Sequence, residues 1–526
     1  MLHVQRPALR AAIVVFIASF CTLVLELVAG RMLAPYVGVS LYSWTSIIGV
    51  VLAGISGGAW AGGVLADRRP VASTLGWLLL ASGIAAMLIV PAATLFAAEK
   101  GLLTSAGIAM TLMKRVVALA VLLFFIPSFL LGMISPVAVR LAVRSLDNAG
   151  SIVGKIYAMS TLGAIAGTFA TGFYLVARFG TRPTIIGVAI ALVAAALLFG
   201  ELFRGWIRAV AVIALAAGCI YAGARPAAAP PPYRDAALAT AKTGIIHTEE
   251  SAYYTIGIER TVRDDSGAPL HALHLDHLAH SYSDLADPSY FEYGYLDLFL
   301  DVIEWAEIRK GSRLRLLFIG GGGYTLPRYL ERTYPSAQID VVEIDPAVTR
   351  MAKRYFGVPR TTRIRTINED ARWFAMRKHE PYDAIFIDAF NDLSVPFHLT
   401  TREYTQHLRR MLEPDGTLAA NVIDDYAKGR FLASYAKTLQ SVFGDANVAI
   451  VMEEQSDMEI DRSTYVVMAS SWAVRAEGEA YVVAGDDLRR YVARRDAVVL
   501  TDDHAPVDNM LAPLFVTRFV DEIGEH

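Results

Sequence analysis

Three acidic side chains bound the chemistry open to this chain: Glu343, Asp370 and Asp388. Upstream of them, Gly320, Gly321, Gly322 and Gly323 make a turn without side chains, where the backbone bends tightly and can approach a ligand closely. The strand predicted over 339–344 then ends in Glu343 and Asp345. A carboxylate roughly 20 positions past a glycine turn suits a ribose, because it accepts hydrogen bonds from two vicinal hydroxyls. Asp370, before Ala371, either accepts from an exocyclic amine such as that of adenine or caps a helix that starts at Ala371. Asp388 follows the apolar run 384–387, and Asn391, Asp392 and Pro396 follow it on a loop. A carboxylate there can take a proton from an amine nucleophile or hold a cationic substrate.

These residues need a frame. Apolar runs at 314–319, 339–344, 363–367, 383–388, 417–423, 446–452 and 463–469 read as strands, with helices between most of them. Strand–helix alternation predicts a doubly wound α/β sheet, which binds ligands beyond the carboxyl ends of its strands. Thr325 is expected to cap the helix after the glycine turn, and Pro335 comes just after that helix. From 243 to 282, alternating residues around the turn DDSG predict a small antiparallel sheet with a hairpin, and a helix over 290–306 leads into the main domain. In the tail TDDHAPVDN, His504 beside Asp502 and Asp503 fits a surface loop or site rim better than a metal, since no second histidine lies at ligand spacing.

The chain of 526 residues is 54% hydrophobic and 19% charged, with mean hydropathy +0.41, too apolar for an ordinary soluble enzyme. The excess lies before residue 224. Seven stretches there can each span a bilayer: 10–32, 43–65, 73–97, 115–135, 152–177, 183–201 and 206–223. Gly54, Gly57, Gly58, Gly62 and Gly63 in the second, and Gly163, Gly167 and Gly172 in the fifth, predict close helix packing. Glu26 lies inside the first span and is either functional or paired at the interface. The first run leads into Glu26 and Arg31 rather than a cleavage site, so no cleavable signal peptide is expected. The positive-inside rule mildly favours an internal N-terminus, and seven spans would then place the C-terminal half outside. Its nucleoside ligand asks for the cytosol, so either the N-terminus lies outside or the span count is off, with the run 102–113 the candidate for a re-entrant or short extra segment. A net charge of −3 gives no pull toward nucleic acid. The two cysteines, Cys21 and Cys219, lie in apolar segments and allow no disulfide framework or CxxC metal site. The expected division is a helical membrane domain over 1–223, an Ala/Pro linker over 224–242, a small β domain over 243–290 and a Rossmann-like catalytic domain over 291–526.

From roughly residue 245 to 470 the chain resembles the spermidine synthase (polyamine aminopropyltransferase) family. The motifs are IGGGG (319–323), VEID (342–345), EDA (369–371), IDAF (387–390) and TTREYTQHLRRMLEPDGTL (400–418). The stretches Gly62–Asp67 and Tyr157–Thr168 are similar to those of multispan membrane-fused members. The resemblance implies a class I methyltransferase-type fold and a transfer of an aminopropyl group from decarboxylated S-adenosylmethionine to a diamine such as putrescine, releasing methylthioadenosine. It further implies that Glu343 holds the ribose, Asp370 with Ala371 the adenine, and Asp388 the attacking amine. Gly320, Gly321, Gly322 and Asp345 would complete the donor site, and Asp276, His280, Tyr282, Tyr293, Asn391 and Asp392 would line the substrate side. No metal is implied. A membrane-bound protein of the inner (plasma) membrane with a cytosolic soluble half follows, with lipid and a small amine as partners, no nucleic acid, and a homodimer by analogy.

The departures fall on one side of the site. The family turn GGGDG carries an aspartate where this chain has Gly323 and then Tyr324. Gly294 and Tyr295 replace Gln/His–Glu, His280 replaces the glutamine after the LDG turn, and DAFND replaces DSSDP. Nucleoside positions are kept better than aminopropyl and diamine positions. The alternatives are therefore a methyltransferase or related sulfonium-cleaving enzyme using intact S-adenosylmethionine, and a polyamine or nucleoside sensor or transporter.

Overall fold

The computed structural model describes residues 6–37, 41–97, 112–143, 145–202, 244–276, 278–390, 395–460, 462–471 and 480–511. The chain forms two compact units, Met1–Arg234 and Asp235–His526. The seventh expected span, the linker, most of the run 102–113 and the pair Asn391 and Asp392 lie outside the described residues.

The first unit is helical. Among the described residues six helices are long and apolar enough to cross a membrane, by length and composition: Pro7–Pro35, Leu41–Arg68, Ala72–Ala93, Lys114–Ala142, Ala149–Leu175 and Thr181–Phe199. Glycines let them touch backbone to backbone. A Cβ on Gly58 would lie 2.0 Å from the Phe129 carbonyl oxygen, and one on Gly62 would lie 2.6 Å from Met133 Cα. Gly163 and Gly167 meet the Phe16 and Phe20 carbonyls in the same way, at 2.3 and 2.5 Å. Among the described residues nothing lies within 4 Å of a Cβ built on Gly63 or Gly172, so close packing between them does not account for these two glycines.

The second unit is built on two sheets. Four antiparallel strands in the order β1-β2-β3-β4 run over Gly244–Glu250, Thr255–Val262, Pro269–Leu275 and Leu278–Asp284. The sheet does not have a core of its own. Ile256, Ile258, Leu273 and Leu275 bury themselves against Ala347, Val348, Met351 and Phe356, on and just after the helix Pro346–Tyr355.

The larger sheet has eight strands in the order β12-β10-β11-β9-β8-β5-β6-β7. Its parallel part is β5 (Arg315–Ile319), β6 (Gln338–Val342), β7 (Arg365–Ile367), β8 (Tyr382–Ile387) and β9 (Leu412–Asp424). The antiparallel strands β11 (Ser463–Ser470), β10 (Val448–Met452) and β12 (Tyr481–Ala484) extend it beyond β9. Strand order reverses between β5 and β8, so a crevice opens at their carboxyl ends. The helix Tyr295–Lys310 starts five residues later than the sequence pattern predicts and lays Phe299, Val302 and Ile303 into the main core. β12 and the helix Gly485–Arg494 have no counterpart in the sequence expectations.

Candidate active site

The glycine turn and Asp388 are adjacent because β5 and β8 are paired in register, Ile319 with Ile387. Asp388 N donates to Ile319 O at 2.8 Å. Gly320 has φ +96°, and a Cβ there would stand 2.2 Å from the Asp388 carbonyl oxygen. A side chain at 320 would therefore force the two strand ends apart. Thr325 does not cap the next helix as expected. The N-cap is Tyr324, in the left-handed region at φ 58° with no side-chain cap. Thr325 Oγ1 instead donates to Tyr282 O at 3.0 Å and lies 2.8 Å from Ser283 Oγ, which ties the small sheet to the turn. Tyr324 folds under the turn into the core, its hydroxyl 3.1 Å from Thr366 Oγ1 and 3.3 Å from Thr349 Oγ1, and it does not line the cleft.

On the β6 side, Glu343 is 7% exposed. Its Oε2 accepts from Gly321 N and its Oε1 from Asp345 N, both at 2.9 Å. Each oxygen keeps a lone pair for a further donor. Burial pushes the Glu343 pKa up, and the backbone donors oppose it. The Asp345 carboxylate has a structural job: Oδ1 caps the next helix through Ala347 N at 2.8 Å, and Oδ2 accepts from Ser251 Oγ at 2.5 Å. Asp370 likewise acts as a cap, accepting from Arg372 N at 2.8 Å and Trp373 N at 3.1 Å through Oδ1. Its Oδ2 lies 3.2 Å from His398 Nε2, and Ala371 is buried behind it as the first helical residue. Burial raises the pKa values of Tyr253 and Tyr254, between β1 and β2, and the charges of Glu343 and Asp345 add to it. They bring the small sheet to this end of the site.

Asp388 stands at the other end. Tyr295 Oη donates to its Oδ2 and Asn421 Nδ2 to its Oδ1, both at 2.9 Å. Burial raises the Asp388 pKa, and these two donors hold it back. The cleft above it is lined by His280, Ser281, Tyr282, Glu292, Tyr293 and Tyr295, with Gly320 and Gly321 on its floor. It encloses about 460 Å³ including its open mouth. His280 is the extra residue of a β-bulge, since Leu273 pairs with Ser281 and His274 with Ala279. A bulge re-aims the side chain of its extra residue. His280 Nε2 is shielded from solvent without a hydrogen-bond partner, and burial lowers the ring's pKa to about 4, with His274 adding to the effect. Tyr293 steadies the bulge by donating to Ala279 O at 2.8 Å.

Of the expected substrate residues, Asp276 is not in the cleft. It sits at φ 55° in the β3–β4 turn and accepts from Thr255 N at 3.0 Å. Sequence reasoning missed Tyr295 and Asn421, the two donors to Asp388. Asn421 carried a readable signal, an amide inside the apolar strand LAANVI. It also missed Ser281, whose Oγ accepts from Gly323 N at 2.9 Å, and Glu453, whose carboxylate fills the space beside Gly294 that a side chain would take, 2.1 Å from a Cβ there.

Strand order, glycine turn and a carboxylate after the second strand define an α/β domain of the methyltransferase type. Residues 306–453 match the family model described as "Spermine/spermidine synthase domain". The chain is 33% identical over 173 residues to a polyamine aminopropyltransferase of Vibrio vulnificus, covering 32% of this chain and 56% of that protein. The aligned part is thus little more than half of that relative. Polyamine aminopropyltransferase 1 of Streptomyces coelicolor is 25% identical over 464 residues, 84% of this chain and 80% of its own length. A probable spermidine synthase from Corynebacterium glutamicum aligns in structure with TM-score 0.43 and 22% identity, over 51% of this chain and 99% of its own. Over residues 306–453 the chain is thus similar to the spermidine synthase family.

Proposed function

We propose that the protein is a membrane-anchored polyamine aminopropyltransferase that moves an aminopropyl group from decarboxylated S-adenosylmethionine to a diamine. The observation that carries this reading is Asp388: a carboxylate on the cleft floor beside the glycine turn, oriented by two neutral donors, with its pKa raised by burial. An alkylammonium must lose a proton to become a nucleophile, and a raised carboxylate pKa narrows the gap to that proton. The amine lone pair forms the new C–N bond at the carbon next to the sulfonium. The C–S bond breaks with its electrons going to sulfur, so methylthioadenosine leaves as a neutral thioether, and the proton passes to Asp388. Glu343 would take the ribose hydroxyls with its remaining lone pairs, and Asp370 the adenine amine beside its cap. His280, Tyr282 and Tyr293 would face the amine groups, with Asn391 and Asp392 on the following loop. The apolar helices would anchor the unit in the inner membrane with the site on the cytosolic side, where the donor is made.

One observation favours a second reading. A Cβ on residue 323 would lie 2.9 Å from Ser281 Cβ and 3.1 Å from Phe356, so the turn offers no carboxylate to the donor's primary ammonium. An intact S-adenosylmethionine has a different charge there, which makes methyl transfer the alternative. The test offers full-length protein each donor, with and without putrescine, and identifies products by mass spectrometry. Methylthioadenosine with spermidine supports the first reading; S-adenosylhomocysteine establishes the second; neither product refutes both.

A further inference from the structure

The helical unit carries an internal repeat. Phe16-Ile17-Ala18-Ser19-Phe20 in the first apolar helix returns 109 positions on as Phe125-Ile126-Pro127-Ser128-Phe129 in the fourth, and Val28, Ala29 and Arg31 return as Val137, Ala138 and Arg140. At the same offset Gly54, Gly58, Ala61 and Gly63 of the second helix match Gly163, Gly167, Ala170 and Gly172 of the fifth. Thr74, Ala85 and Ala86 of the third match Thr184, Ala195 and Ala196 of the sixth, 110 positions on.

The packing obeys the same correspondence. A Cβ on Gly54 would lie 3.0 Å from Phe125 O, and one on Gly58 2.0 Å from Phe129 O. Their counterparts Gly163 and Gly167 meet the counterpart carbonyls, Phe16 O and Phe20 O, at 2.3 and 2.5 Å. A Cβ on Gly83 would stand 2.7 Å from Val193, its own counterpart, as a residue beside a twofold axis must. Three helices make an odd number of crossings, so the second triplet starts from the opposite side and the two are inverted. The glycine contacts agree: numbering rises together along the first and fifth helices and along the second and fourth, so each pair runs parallel. The halves still differ in backbone. Val121–Phe125 and Thr171–Leu175 wind as π-helix, a form that gathers at functional sites, whereas their counterparts 12–16 and 62–66 are α-helical. Inverted halves with unequal backbones are the architecture of carriers that bind a solute near mid-membrane.

Glu26 is the independent observation that points to a ligand. Its helix is central, packed on the second, fourth, fifth and sixth, and none of its residues from Arg10 to Pro35 is exposed. Glu26 is half-buried there in the apolar run LVLELVA, and the repeat puts Ser135 in its place in the other half. Among the described residues no base pairs with it and no donor reaches it. An unpaired carboxylate inside hydrocarbon is costly and marks a path for ions or charged solutes. One carboxylate neutralises one positive charge and brings too few oxygens for a hard metal cation. It suits an ammonium whose carbon skeleton rests on the apolar side chains around it.

We infer that the helical unit is a carrier of small organic ammonium ions, with Glu26 as their counter-ion, and not an anchor alone.

The test reconstitutes the full-length protein in liposomes and reads counterflow, the exchange of labelled cation outside for unlabelled cation inside. Choline and butane-1,4-diamine are the probes, and a dye within the liposomes reports proton entry. Wild type should exchange at least one probe with saturation. Glu26→Gln should slow that exchange about tenfold, and Glu26→Asp should keep part of it. The glutamine variant should match wild type in melting temperature and methylthioadenosine affinity, which separates a lost cation site from a lost fold. Arg69 and Arg178 are counterparts, both exposed, just past the second and fifth helices. Arg69→Cys and Arg178→Cys, made singly with Cys21→Ala and Cys219→Ala, should therefore be labelled by an impermeant maleimide from opposite faces of the membrane. Exchange of neither probe, equal exchange in wild type and Glu26→Gln, proton entry without probe exchange, or labelling of both cysteines from one face overturns the inference. Counterflow needs no sulfonium donor, so its outcome is independent of the transfer reaction.

Discussion

Asp388→Asn separates the chemistry of the cleft from its architecture. The new amide has nearly the shape of the carboxylate, and Tyr295 Oη can still donate to its oxygen. Its nitrogen would meet Asn421 Nδ2, donor against donor. Asn421 can turn its amide over, because its Oδ1 is a shielded acceptor without a partner. The variant should therefore fold. Its stability at neutral pH should equal or exceed that of wild type, by the following sign. Burial raises the Asp388 pKa in the folded state. Below the ordinary carboxylate value the side chain is neutral in both states and the cost is absent. Stability falls as pH rises from that value through the raised folded pKa. Asn does not titrate, so that part of the slope disappears. Catalysis should suffer in the opposite direction. Losing a positioned general base costs about 10²–10⁴ in rate, on the order of 3–5 kcal/mol of barrier. Binding of methylthioadenosine should change little. The assays are urea unfolding at several pH values, calorimetry with methylthioadenosine, and single-turnover product release. In wild type the rate should rise with pH along an acid limb displaced above the usual aspartate range. Tyr295→Phe removes one donor that lowers the Asp388 pKa, and should move that limb higher still. Turnover within a few-fold of wild type in Asp388→Asn would refute the assigned role.

Three further outcomes follow from the geometry. Glu343→Gln replaces a four-site acceptor with a side chain that also donates, against the Gly321 or Asp345 N–H, and should weaken methylthioadenosine binding about tenfold by calorimetry, equivalent to one net hydrogen bond. Gly320→Ala puts a Cβ 2.2 Å from the Asp388 carbonyl at φ +96°, and should cost about 1–3 kcal/mol in urea unfolding, with activity lost as the strand ends part. Gly58→Leu in the helical unit meets the Phe129 carbonyl, and should destabilise helix packing by about 1–3 kcal/mol, read as a lower melting temperature in detergent with methylthioadenosine affinity unchanged.

Much of the frame was legible because burial leaves a periodic mark. The runs LLFI and AIFI are apolar throughout, as strands covered on both faces must be, and each ends at the residue that matters, Gly320 and Asp388. The six apolar helices were legible by length and hydropathy for the same reason. Local pattern ran out where a side chain had two possible partners. Asp345 and Asp370 look the same whether they face a ligand or cap a helix, and only the folded backbone brings Ala347 N and Arg372 N to them. Thr325 looked like a cap, but the small sheet offers it Tyr282 O and Ser283 instead.

By itself the sequence determined the class of the fold, the glycine turn and which carboxylates end the strands, because these depend on hydrophobic period and backbone freedom along a contiguous stretch. Tertiary structure alone decided what surrounds those carboxylates. Tyr295 and Asn421 come from segments 93 and 33 residues away to donate to the Asp388 carboxylate. A one-residue bulge in β4 turns His280 toward the cleft, and Ser281 closes the space beside Gly323. Contacts between distant segments depend on strand register and packing, and neither leaves a trace in the spacing of the residues that make them.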